Sequence, residues 1–187
     1  MTIVNFVLSV FAFIISLISF FISVRKYNLS IPKLKFDIAD DFSRYIGFYW
    51  YDAYNLAIIK MYISNPSAQS VDINSIVLTY LGQTYLADTC SLHDRYNKNG
   101  ISVLSKENTE YVAQLNISSE NILNNKRIEA YGTSIGFAVF YDFPEITSDV
   151  PCTLKLTLPN GKFTEKDIVI HPLDDNEAPI HPLHNQN

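Results

Sequence analysis

The sequence predicts an all-β protein, an antiparallel β-sandwich of seven or eight strands behind one N-terminal transmembrane helix. Three observations carry this. The stretch Ile3–Val24 holds no charged residue. Beyond it, apolar residues recur at every second position, from Leu34, Phe36 and Ile38 to Leu154, Leu156 and Leu158, the period of a half-buried strand. The breaks between these runs are hairpin-sized and no βαβ alternation appears, so antiparallel sheets are the natural architecture.

The helix comes first. Residues 3–24 would reach about 33 Å as a helix, which matches a hydrocarbon core of about 30 Å. A core helix of a soluble domain would carry charges on one face. A cleavable signal would begin with a basic region and end at a small-residue site, and this run is long for one. An uncleaved anchor is therefore expected, with a cleaved signal as the alternative. Arg25, Lys26, Lys33 and Lys35 follow the run, with no acid before Asp37. They suit lipid head groups, and the positive-inside rule puts the C-terminal domain in the cytoplasm. The alternative is an exported domain.

Within the run, Thr2, Asn5, Ser9, Ala12, Ser16, Ser19 and Ser23 are spaced alternately by three and four residues, and every other position is Ile, Val, Leu or Phe. This heptad seam predicts association with another helix, as a homo-oligomer or with a different chain, because small and hydroxylated residues let helix backbones approach. The bland alternative is serine bonded to its own helix.

Residues 25–33 read as a basic juxtamembrane linker, 34–173 as the β-domain and 174–187 as a disordered tail. LKFDI opens the first strand. NLAIIKMYISNP is a long strand ended by Asn65-Pro66. Val71, Ile73, Ile76, Leu78 and Tyr80 alternate, and Leu81-Gly82-Gln83 turns into Thr84-Tyr85-Leu86. TEYVAQLNI and TSIGFAVFYDFP are further strands, and SSENILNNKR suits one capped helical turn. CTLKLTLPNGKFTEKDIVI is the clearest hairpin, with Asn160-Gly161 at its turn. The motif IHPL occurs at 170–173 and again at 180–183, and the tail is rich in Pro, Asp and Asn.

The chain has a formal charge of −5 and no basic patch beyond the juxtamembrane cluster, which argues against nucleic-acid binding. Cys90 and Cys152 show no metal-ligand spacing and are expected as free thiols in a reducing compartment. No nucleotide, hydrolase or zinc motif occurs, so no cofactor, metal or catalytic residue is expected and the protein reads as a non-enzyme. The alternative enzyme would use the polar 88–105 loop, where Cys90-Ser91-Leu92-His93-Asp94 sets triad residue types side by side; a triad is built by fold geometry, not adjacency. His181 and His184 lie in the tail, a poor setting for a metal.

The candidate partner surface is aromatic: Tyr45, Phe48, Tyr49, Trp50, Tyr51 and Tyr54. Alternation sends Tyr45, Tyr49 and Tyr51 to one face and Phe48, Trp50 and Tyr54 to the other. One face can enter the core and the other then offers a binding hot spot. Burial of both, or contact with the head-group region, are the alternatives.

In layout (apolar helix, basic stop, β-domain) the chain resembles small single-pass membrane proteins of low-GC Gram-positive bacteria and their prophages. NPSAQSVDINSIVL is similar to the strand-turn-strand opening of bacterial immunoglobulin-like domains. The resemblance implies an immunoglobulin-like sandwich in a membrane-attached module, some of whose kind act in phage exclusion or envelope maintenance. The function expected is a membrane-held interaction module that binds a protein partner at the inner face; the exported alternative would act in adhesion or exclusion.

Overall fold

The computed structural model describes residues 2–48 and 55–183. The chain opens with one helix, α1 (Thr2–Ser30), of 29 residues, or about 43 Å. From Ile3 to Leu29 it is exposed along its whole length. The stretch expected as a linker is thus mostly helix. The run continues through Arg25 and Lys26 to Ser30 and stops where Pro32 disfavours the helical conformation of the residue before it. Ile31, Pro32 and Lys33 alone separate α1 from the buried Leu34.

Twelve strand segments follow: β1 (Lys35–Ile46), β2 (Leu56–Ser64), β3 (Val71–Asp72), β4 (Ser75–Tyr80), β5 (Gln83–Asp88), β6 (Ile101–Ser105), β7 (Tyr111–Leu115), β8 (Arg127–Ile128), β9 (Thr133–Tyr141), β10 (Val150–Thr157), β11 (Phe163–Ile170) and β12 (Glu177–Pro179). Seven form one sheet in the order β1-β2-β9-β5-β4-β10-β11, and every neighbouring pair is antiparallel. An odd number of alternating strands makes the two edges point the same way, so closure requires a parallel contact. One is present: Arg44 bridges His171 in parallel, with Tyr45 N–H donating to the His171 carbonyl at 2.8 Å and His171 N–H to the Ser43 carbonyl at 3.1 Å. Ser43 Oγ adds a bond to the Val169 carbonyl at 2.6 Å, and Thr164 Oγ1 one to the Leu34 carbonyl at 3.1 Å. The protein is therefore all-β behind one apolar helix, as expected. Its main sheet curls into a near-barrel, and the strand order gives no support to the immunoglobulin-like detail.

The wall formed by β2 and β9 is buried on both faces from Leu56 to Ile59 and from Phe137 to Phe140, while nearer the anchor its outer face is open at Tyr62 and Ile135. Ala57, Ile59, Met61, Ile63, Ala138 and Phe140 point into the barrel. Leu56, Ile58, Phe137 and Val139 point outward into a second core under the small sheet β12-β6-β7, with Ile101, Val103, Leu115 and Ile117. Burial on both faces explains the near-continuous apolar runs of these two strands. Each buried Leu, Ile, Val, Met or Phe among them contributes about 1.5–3 kcal/mol, and each Ala less.

A bulge switches the parity of β1. Ile38 opposes Met61 and Ser43 opposes Ile59, so four residues on β1 face Lys60 alone on β2. Asp40 and Asp41 take the left-handed conformation there, each with φ 55°, which Asp tolerates better than most residues, and Asp40 pairs with Lys60 at 2.5 Å. Before the bulge even-numbered residues point inward; after it, Tyr45 enters the barrel and Ile46 the second core.

Buried asparagines tie the loops down. Asn65 donates to the carbonyls of Gln69, Ile128 and Glu129 and accepts from Ser67. Asn97 bonds Asn116 and Asn99, and Asn121 caps the 3-10 turn Ile122–Asn124 by accepting from Leu123 N–H at 2.9 Å. The cap is thus Asn121, not the preceding serines. Leu81 and Gly82, with φ 47° and 78°, make the tight β4–β5 turn, the geometry that hairpins favour. The expected tail is ordered through 183: β12 pairs with β6, Ile180 N–H donates to the Ser102 carbonyl and Leu183 N–H to the His93 carbonyl. Backbone bonds to a partner strand, which need no apolar pattern, hold it in place.

The barrel has two distinct ends. Leu34, the β2–β3 loop and the β8–β9 loop lie at the end where α1 arrives, and Ala68 N–H donates to the Leu29 carbonyl at 2.7 Å. Leu56, the start of β2, is eight residues from Ser64, so the opposite end is about 27 Å away at roughly 3.4 Å per residue.

Candidate functional site

At that far end lies a cleft of about 670 Å³ between the end of β1 and the two residues after it, Asn55 just before β2, the segment after β9 and the chain after β11. Tyr45, Gly47, Phe48, Asn55, Ile146 and the run Pro172–Pro179 supply much of its lining. Its size suits a peptide segment or small ligand.

Each wall has a local cause. The parity switch in β1 buries Tyr45, whose hydroxyl donates to Asn55 Oδ1 at 3.1 Å. Burial, and secondly the nearby Glu145 carboxylate, push the Tyr45 phenol up to about 12, so it stays a donor at neutral pH. A Cβ at Gly47 would stand 2.5 Å from the Tyr45 hydroxyl oxygen, so any side chain there would displace the tyrosine. Phe48 packs in the second core and meets the His181 ring at 6.1 Å. Opposite, Lys106 Nζ donates to the Asp175 carbonyl at 2.7 Å and holds the C-terminal chain against the β6–β7 turn. Glu145, Asp174, Asp175 and Glu177 face the opening with Lys106, so the cleft carries net negative charge. It is chemically suited to a basic, partly apolar segment. Among the described residues, no group of three His, Cys, Asp or Glu is placed to hold a metal ion.

The sequence-derived candidates fall in different places. Tyr45 and Phe48 are both buried, at 7% and 3% exposure, in the barrel and second core respectively. Tyr45 points inward from β1, while Phe48, past the end of that strand, turns into the core that the small sheet covers, so neither is exposed contact surface. Tyr49, Trp50, Tyr51 and Tyr54 lie outside the described residues, as does His184. Arg25 and Lys26 are exposed on α1, and Lys33 and Lys35 are exposed where α1 meets the barrel. On the helix, Asn5, Ser9, Ala12, Ser16, Ser19 and Ser23 fall within a stripe about 80° wide at 3.6 residues per turn. Ser9 Oγ donates to the Asn5 carbonyl and Ser23 Oγ to the Ser19 carbonyl, both at 2.8 Å. Those two hydroxyls are bonded within their own helix.

The 88–105 loop does not assemble a triad. Cys90 and Leu92 turn into the second core. Asp94 is 1% exposed and its carboxylate organises the loop, accepting from Tyr96 N–H at 2.7 Å, Asn97 N–H at 2.6 Å and Ser102 N–H. Cys90 and Cys152 are both free and buried, in separate cores. Burial pushes the Cys152 thiol up to about 11. The sequence reading missed the buried asparagines and the acidic cleft; Asn-Pro at 65–66 and Asn-Gly at 99–100 marked turns without showing that the side chains turn inward.

No protein-family model matches this chain, and no curated protein matches it. Among solved structures, it is similar to the archaellum periplasmic stator protein FlaG from Sulfolobus acidocaldarius, at 11% identity and TM-score 0.38, over 74% of this chain and 100% of that one. It is also similar to a chain of the FlaF–FlaG stator complex of the same organism, at 11% identity and TM-score 0.36, over 71% of this chain and 87% of that one. A putative lipoprotein (ycdA) from Bacillus subtilis matches at 11% identity and TM-score 0.41, over 73% of this chain and 38% of that one. At these values no function transfers.

Proposed function

We propose that this protein is a membrane-anchored interaction module. The helix holds the β-domain at a bilayer surface, and the acidic cleft at the far end receives a basic, partly apolar segment of a protein partner. The observation that carries the reading is α1 itself: an apolar helix long enough to cross a membrane, exposed throughout, and joined to the barrel by three residues. The basic residues Arg25, Lys26, Lys33 and Lys35 favour a cytoplasmic domain. The two thiols do not bear on this, because cysteines in separate cores would remain unpaired in either compartment. The small-residue seam of α1 supports pairing of the anchor with a second copy or another membrane helix, Ser16 sitting at its centre.

The test uses photo-crosslinking residues placed singly in the full-length protein in its native membranes. A residue at Glu145 or Asp175 should trap a discrete protein, and the adduct should weaken when Glu177 and Asp174 become Gln and Asn. Adducts from the barrel's anchor end alone, or adducts indifferent to those substitutions, would refute the cleft as the binding site.

A further inference from the structure

Three loops surround the point where α1 enters the barrel. Tyr131 N–H donates to the Ser67 carbonyl at 3.1 Å, next to Ala68, which bonds the end of the helix. Pro32 sits in a small recess with Ser70, Val71, Leu158 and Pro159. Thr164 bonds the Leu34 carbonyl, which puts Phe163 beside the linker. Residues 65–72, 126–132 and 157–164 thus form a collar round the anchor.

The collar has the surface of something that meets a lipid interface. Tyr131 and Phe163 are exposed at 63% and 53%, although the domain has two cores available to bury aromatics. Lys155 Nζ stands 3.9 Å from the Phe163 ring centroid, giving an aromatic and a cation side by side. Lys33, Lys126 and Lys162 are exposed there, while Arg127 is occupied by Glu129 at 3.2 Å and by Ser70 Oγ at 2.6 Å. Asp72 is the other collar acid, and Glu165 lies opposite Lys155 just beyond it, so the cations keep the excess. The opposite end carries Glu145, Asp174, Asp175 and Glu177 around its cleft. Charge is therefore polarised along the barrel, positive toward the anchor and negative away from it.

We propose that the collar is a second membrane contact, docking on the anionic surface of the bilayer that α1 enters. The lysines lie against lipid phosphates, and Tyr131 and Phe163 sit at the head-group level, where amphipathic aromatic side chains are favoured. Residues 25–30 carry the helix about 9 Å beyond Val24, a three-residue tether spans at most about 11 Å, and the bond from Ala68 to Leu29 holds the collar at the helix end, so the collar stays close to the head-group region. Attraction at the collar and repulsion at the acidic rim then select the upright orientation, because anionic leaflets attract juxtamembrane cations. The cleft is held clear of the membrane, facing incoming partners. This inference rests on the anchored reading and adds to it an orientation.

The experiment places the full-length protein, with Cys90 and Cys152 replaced by Ala, in nanodiscs of phosphatidylcholine with or without phosphatidylglycerol. Single cysteines at Ala130, Asn160 or Glu107 carry an environment-sensitive fluorophore. Labels at 130 and 160 should shift to the blue and be quenched by lipid-attached quenchers in anionic discs, and lose most of that response with K126Q/K162Q or in high salt. The label at 107 should remain in water. Labels at 130 and 160 as wet as the one at 107 in anionic discs would overturn the docking while leaving the anchor intact. Failure of the full chain to enter discs of either composition would overturn the anchored reading and the docking together.

Discussion

Asp94 offers the sharpest distinction between a loop built for structure and one built for catalysis. Its carboxylate accepts from three backbone N–H groups, and two of the donors, Asn97 and Ser102, belong to residues 6% and 0% exposed. Asp94→Ala strands those two donors, since the half-exposed Tyr96 turns to water. An unpaired buried polar group costs about 1–3 kcal/mol, so the pair costs about 2–6 kcal/mol. Removing the carboxylate also removes its own desolvation cost, which places the expectation in the lower half of that range. Asp94→Asn keeps one acceptor oxygen and should lose about half as much. Thermal unfolding of the full-length protein in detergent, followed by circular dichroism of the strands, reads this directly. Against a domain stability of about 5–15 kcal/mol, Asp94→Ala should visibly lower the transition. A variant within about 0.5 kcal/mol of the parent would mean that the loop does not depend on this carboxylate, and would reopen a chemical role for it.

The same structure makes further predictions. Burial raises the Cys152 thiol from 9.0 to about 11 and, with the Glu145 charge, the Tyr45 phenol from 10.0 to about 12. A raised folded-state value means stability that is complete below the unfolded value and is lost as pH climbs through the folded one. The domain should therefore weaken between pH 9 and 12, and Tyr45→Phe should flatten the upper part of that decline; an unchanged alkaline profile would contradict the assignment. Gly100→Ala should prevent the β6–β7 sheet from closing, because a Cβ there would overlap the Leu115 carbonyl oxygen; proteolysis of the 95–115 region reports it, and a protease-resistant variant would refute it. In a transmembrane association assay on the full anchor, Ser16→Phe should abolish pairing and Ile15→Phe should not; equal effects would show that the seam is not the contact.

How legible this was depended on the range of the interactions. The β10–β11 hairpin could be read because Leu154, Leu156, Ile168 and Ile170 alternate on either side of a turn, all within twenty residues. The β2 and β9 strands were equally visible, but not the burial of both their faces, since that needs β6, from a stretch that reads as polar loop, to pair with β7. Tyr45 and Phe48 show the consequence. Tyr45 is buried in the barrel because of the parity switch in β1, and Phe48, past the end of that strand, is buried under the second sheet. The parity switch at Asp40 and Asp41 is hidden too: Asp permits the left-handed conformation without demanding it. At the site, the acids of 174–177 read as a solvated tail because nothing local announces that Glu177–Pro179 will pair with Val103–Ser105.

The central claim is that α1 is a retained membrane anchor, and alkaline extraction of membranes tests it most directly. Full-length protein should stay with the lipid pellet and keep its N-terminal residues by mass spectrometry. A form lacking residues 2–24 should appear in the supernatant with the same strand circular dichroism. A full-length protein that washes off, or one recovered cleaved near Ser23, would contradict the account.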